Sequence, residues 1–171
     1  MIHTGCFSEL IHQTKENKMK INGEEIGGLN EDILVLPRGN GQIIFRGRAI
    51  HDFDEFDRLV PLPSAPRMLK KGKQVEDTDD VGYLEQRMVY ELKRFAYLTI
   101  KTLEPSNIEW ETVRLEDPNT WVNWVDEMSK VLSVFEQQKL ITFINTVNTL
   151  DQKKIDDARN AFLAGLAQAK I

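Results

Sequence analysis

The sequence predicts an α+β fold, with a small N-terminal antiparallel β-sheet, an extended Pro-rich linker and a C-terminal bundle of about four helices. Three observations lead there. Two β-branched runs, Ile33–Leu36 and Gln42–Arg46, flank the turn-forming stretch Pro37-Arg-Gly-Asn-Gly41. Pro61, Pro63 and Pro66 then forbid regular helix. From Asp80 onward, apolar residues recur at helical spacing.

The chain has 171 residues, 41% of them hydrophobic, enough for one packed domain with an appended arm. A formal net charge of -5 argues against a dedicated nucleic-acid binder, which carries a basic surplus. One Cys cannot form an internal disulfide. No apolar run approaches the roughly 20 residues that cross a bilayer, and no signal-peptide pattern is present. The expected location is the cytoplasm.

Residues 1–18 read as a leader or loosely held arm, because Met19 opens a typical protein start and the preceding stretch is polar. The sharper alternative is an arm that docks on a neighbouring subunit. Cys6, His3 and His12 all fall in this leader, and beyond it only His51 remains. With the leader set aside, thiol catalysis and a His-rich zinc site are excluded.

Residues 19–60 form the small β region. Lys20–Ile26 is an earlier strand or turn pair, closed by Gly27-Gly28. The two β-branched runs form a hairpin, with Gly39, Asn40 and Gly41 supplying residues that accept positive φ. Gly39-Asn-Gly41 lacks the Gly-Lys-Ser/Thr ending of a phosphate loop and reads as a turn. Arg38, Arg46 and Arg48 cluster around the hairpin, either as solubilising edge charge or as a partner-facing patch. Phe53, Phe56, Leu59 and Val60 fit a short helical turn.

Residues 61–79 are expected to be an extended charged linker without secondary structure. A basic block (Arg67, Lys70, Lys71, Lys73) precedes an acidic one (Glu76, Asp77, Asp79, Asp80). Loops of this length are usually functional or disordered. Asp52, Asp54 and Asp57 lack the Gly and the distant Glu of a calcium loop, and the Asp77–Asp80 cluster, though followed by Gly82, has Met88 where the loop needs Glu, so neither metal nor other cofactor is expected.

Residues 80–171 form the helical domain. The first helix spans about Asp80–Leu103, with Leu84, Met88, Leu92, Phe95 and Thr99 on one core-facing stripe and Gly82 fraying its start. Ile108–Leu115 alternates and reads as extended. Asp117-Pro118 opens a second helix carrying Trp121, Trp124, Val125 and Met128. Ser133-Val-Phe-Glu136 is a capping box for a third, with Leu140, Ile141, Ile144 and Val147 inward. Thr149-Leu-Asp-Gln152 opens a fourth, with Ile155, Ala158, Phe162 and Leu166 on its face.

Trp110, Trp121 and Trp124 read as core filling, with a binding groove as the alternative. With Arg38, Arg46 and Arg48 they make up the candidate partner interface. No Gly-x-Ser-x-Gly elbow exists, and His51 stands in an acid-rich loop. No residue is singled out for catalysis, and a non-enzymatic protein is expected.

The runs Leu103-Glu-Pro105, Ile108-Glu-Trp-Glu-Thr112 and Asp117-Pro-Asn-Thr-Trp-Val-Asn-Trp124, with Asn148–Gln152 and Ala158–Leu163, resemble a family of small tailed-phage proteins. These are commonly labelled phage tail assembly chaperones. The resemblance covers most of residues 19–165 and brings no active site. It implies a non-enzymatic factor in the host cytoplasm that binds tape-measure and major tail-tube proteins during assembly. The alternative is a structural virion component, such as a tail, connector or capsid-associated subunit. Neither nucleic acid nor membrane is an expected partner, and homo-oligomerisation is left open.

Overall fold

The computed structural model describes residues 20–21, 24–25, 28–149 and 152–168, so the leader expected over 1–18 lies outside the described residues. The fold is α+β. β1 (Lys20–Ile21) pairs antiparallel with β2 (Glu24–Glu25), which is the expected turn pair. β3 (Glu31–Arg38) pairs antiparallel with β4 (Gly41–Arg48) from Glu31↔Arg48 to Arg38↔Gly41. These remain separate two-stranded sheets.

Pleating sends alternate residues of the β3–β4 hairpin to opposite faces. Leu36, Phe45 and Gly47 are buried on the inner face, with Leu34 and Ile43 packed beside them. Gly47 is required there, because a Cβ would lie 2.8 Å from the Phe143 ring. The turn residues Gly39 and Asn40 do not use the expected left-handed conformation. Among the described residues, positive φ occurs only at Lys71, Asn107, Gly28 and Gly72. The hairpin end is instead held from outside, since Arg38 donates to the Val131 carbonyl at 2.9 Å and to Glu136 at 3.1 Å.

α1 (Asp54–Leu59) is the expected short turn, and it delivers Phe56 to the centre of the core. The Phe56 ring lies 5.2 Å from Tyr90, 5.6 Å from Tyr97 and 6.1 Å from Trp121 between centroids. Such rings supply large buried area and favourable edge contacts.

The linker departs from expectation. Residues 61–66 and 77–79 are irregular or turn, but between them β5 (Arg67–Lys70) and β6 (Lys73–Glu76) form a third hairpin. Its turn residues, Lys71 at φ 53° and Gly72 at φ 75°, are both left-handed, the pattern of a type I′ turn. The basic block is therefore not a plain charge run. Met68, Leu69 and Val75 are interleaved with it and stay exposed.

α2 (Val81–Thr102) is the expected long helix. Gly82 does not fray it, because the Asp80 carboxylate accepts from the Tyr83 amide at 2.8 Å. Its stripe is buried only in part. Ala96, Tyr97, Thr99 and Ile100 are buried, whereas Leu84, Met88 and Leu92 are 51%, 61% and 56% exposed. The core ends where α1 and α4 end their cover, so helical periodicity continues past the packing that it would serve.

Ile108–Leu115 forms no strand, and residues 118–120 are turns, so Pro118 does not open an α-helix. A short 3-10 turn at Trp121–Asn123 leads into α3 (Trp124–Ser129). Val125, expected inward, is exposed. α4 (Val134–Asn148) begins with the capping box read from the sequence, and buries Leu140, Phe143, Ile144 and Val147. α5 (Gln152–Gln168) exists, but Ile155, Ala158 and Phe162 are exposed, so it is no part of the buried bundle. The Thr149 hydroxyl donates back to the Asn145 carbonyl, and residues 150–151 of the expected capping motif lie outside the described residues. No described helix is long and apolar enough to cross a membrane.

Candidate partner interface

The outer face of the β3–β4 hairpin carries Ile33, Val35 and Ile44, all exposed. Register explains the grouping. Ile33↔Arg46 and Val35↔Ile44 are neighbouring cross-strand pairs, and Glu31↔Arg48 continues the same face. The result is a short apolar strip bordered by two guanidinium groups. Arg48 lies 3.8 Å from Glu104. Arg46 has no ion pair with a described residue, though its backbone is fully engaged.

The edges of this hairpin are occupied at single positions. The Arg46 amide donates to Ser106 Oγ at 2.8 Å, and the same hydroxyl donates to the Arg46 carbonyl at 2.8 Å. On β3, the Ile33 amide donates to the Asp32 carboxylate at 2.8 Å, and Pro37 has no amide to offer. Such devices disfavour strand addition. The available surface is the face, which suits an amphipathic helix better than an added strand.

The structure divides the candidate partner residues. Arg38 is spent on the fold, bridging the hairpin to Glu136 and Val131. Arg46 and Arg48 share the outer face. Trp121 is 0% exposed, and its indole N–H donates to the carbonyls of Arg114 and Leu115. Trp124 is buried beside Phe95, with ring centroids 6.1 Å apart. Neither can meet a partner without unfolding, which corrects their placement in the interface. Their burial follows from area, since the two large rings pack against Phe56, Tyr97 and Phe95. Trp110 is half-buried and lines a cavity of about 140 Å³ with Ile100, Leu103, Ile108 and Leu115.

Sequence reasoning missed Glu127. Its carboxylate accepts from the amides of Glu111, Thr112 and Val113 and from the Thr112 hydroxyl, at 2.6–3.2 Å. Burial works against its charge, but these four donors outweigh it and hold the carboxyl at about 2. It latches the irregular 108–115 segment onto α3. Nothing local marks this role, because the donors lie 14–16 residues away.

A groove of about 440 Å³ lies between the 50–53 loop, α2 and the end of α4. Arg94 stacks over Phe53 at 4.4 Å there. His51 is an exposed loop residue, as expected, 2.7 Å from the Asp52 carboxylate. That hydrogen bond, with one from the Asp54 amide, lowers the Asp52 carboxyl. Asn148 closes the groove floor, accepting from the Ile50 amide and donating to Thr102 Oγ1. Among the described residues no group of three or more His, Cys, Asp or Glu could hold a metal ion. No protein-family model matches this chain, and neither a curated protein nor a solved structure is significantly similar to it.

Proposed function

We propose that this protein is a non-enzymatic phage tail assembly chaperone, which binds tape-measure and tail-tube proteins while the virion is built. The observation that carries the reading is the outer face of the β3–β4 hairpin. Ile33, Val35 and Ile44 form an apolar strip bordered by Arg46 and Arg48. An amphipathic helix with acidic flanks fits such a face, with apolar anchors on the strip and carboxylates on the guanidiniums. A tape-measure segment of that character is the expected ligand. The net charge of -5 keeps an assembly factor soluble and favours basic partner segments elsewhere on the surface. The resemblance carried by Leu103–Pro105, Ile108–Thr112 and Asp117–Trp124 supports the same reading.

The test is co-elution of the full chain with a tape-measure fragment, beside mass spectrometry of finished particles. Co-elution that is lost in Val35→Asp and in Arg46→Glu, with the protein absent from virions, is the expected result. Abundant, stoichiometric copies in purified particles would refute the chaperone reading and favour a structural tail, connector or capsid-associated subunit.

A further inference from the structure

Two apolar helix faces have no partner among the described residues. On α2, Val81, Leu84, Met88 and Leu92 follow helical spacing and are all exposed. They continue the same stripe that Phe95 and Thr99 carry into the core. On α5, Ile155, Ala158 and Phe162 are spaced three and four apart and are also exposed. Buried helix faces normally carry this pattern, so each face has the form of half of a helix pair.

The rims of the two faces are opposite in charge. The α2 stripe is bordered by Glu85 on one side and Glu91 on the other, by helical geometry. The α5 stripe is bordered by Lys154 and Arg159. Glu91 already pairs with Arg87 at 3.2 Å, and Lys154 with Asp32 at 3.5 Å. Glu85 and Arg159 have no ion pair with a described residue, and they are the natural cross-partners. Within one chain the two faces do not meet, since both are solvent-exposed.

We infer that the occupant of the α2 face is α5 of a second copy of this chain, in a two-fold dimer that makes the contact twice. An isologous arrangement buries both faces at once, and each acidic rim meets a basic one. The hairpin face assigned to the tape-measure partner is a different surface. This inference goes beyond the proposed function, and its test needs no phage partner.

The test is sedimentation or light scattering of the full chain across a concentration series. The expected result is a dimer, twice the chain mass. Met88→Glu and Phe162→Glu change exposed residues, so each should yield a monomer with unaltered circular dichroism and melting temperature. An equimolar mixture of these two variants should regain heterodimer, because the first retains α5 and the second retains the α2 face. Glu85→Lys or Arg159→Glu alone should weaken self-association at least tenfold, and the two together should restore most of it. Three results would each overturn the inference. The first is a chain monomeric at every concentration. The second is a dimer indifferent to both apolar substitutions. The third is a monomer whose α5 becomes protease-sensitive only on Phe162→Glu, which would mean closure of α5 onto its own α2.

Discussion

Glu127 shows how much one carboxylate can organise. Four donors converge on it, and the segment that they belong to has no backbone ladder of its own. Replacing it by Gln keeps the size but removes the charge that makes those bonds strong. We expect Glu127→Gln to cost about 2 kcal/mol at neutral pH, measured by denaturant unfolding. The pH dependence has a definite sign. The folded carboxyl stands at about 2, below its ordinary 4.5. Its contribution is therefore complete above pH 4.5 and fades as the pH falls through 2. Wild type and Glu127→Gln should converge in stability over that window. Thr99 poses the opposite case: it is fully buried and its hydroxyl has no hydrogen-bond partner among the described residues. Thr99→Val should leave the melting temperature unchanged or raise stability by up to about 1 kcal/mol. A clear loss of stability would mean that the hydroxyl is satisfied in solution.

Among the elements, those governed by local rules were legible in the sequence. The capping box at Ser133 and Glu136 starts α4, because it acts through atoms within three residues, whereas the Asp80 cap firms the start of α2 where Gly82 was expected to fray it. The β3–β4 hairpin was legible from its alternation. The β5–β6 hairpin was not, since Arg67, Lys70, Lys71 and Lys73 masked its few apolar residues, Met68, Leu69 and Val75. The Lys71-Gly72 turn was its readable signal. Depth of burial was the harder quantity. Periodicity gave the stripe of α2 but not the point along it where neighbouring elements stop. Close approach of elements was equally invisible, and Gly47 is the case in point. Gly47→Ala would force a Cβ to 2.8 Å from the Phe143 ring and 3.3 Å from Val147. We expect a loss of about 1–3 kcal/mol, as for other overpacked sites, read from thermal or chemical unfolding.

At the scale of the whole molecule, one core draws on every central element. Phe56 from α1, Tyr97 from α2, Trp121 before α3 and Leu140 from α4 all lie within it. The candidate site was half legible. Arg46 and Arg48 were found because charge beside a predicted hairpin is visible in the sequence, whereas Arg38 was placed with them although its partners, Val131 and Glu136, lie nearly a hundred residues away. Core filling was the first reading of the tryptophans, and the burial of Trp121 and Trp124 agrees with it; the groove alternative stayed open because core and interface draw on the same residue types, and only tertiary packing separates them.

The doubly bonded Ser106 hydroxyl has a consequence for how this chain behaves at high concentration. Exposed Ile and Val on a two-stranded ribbon are the usual seed of cross-β aggregates, which grow by recruiting strands at an unsatisfied edge. Here the Ser106 hydroxyl occupies the Arg46 amide and carbonyl on one edge, and the other is blunted by Asp32 and Pro37. Greasy side chains can thus be displayed without offering a template for fibril growth. Ser106→Ala should uncouple the two properties, leaving the fold in place while thioflavin-positive aggregation accelerates.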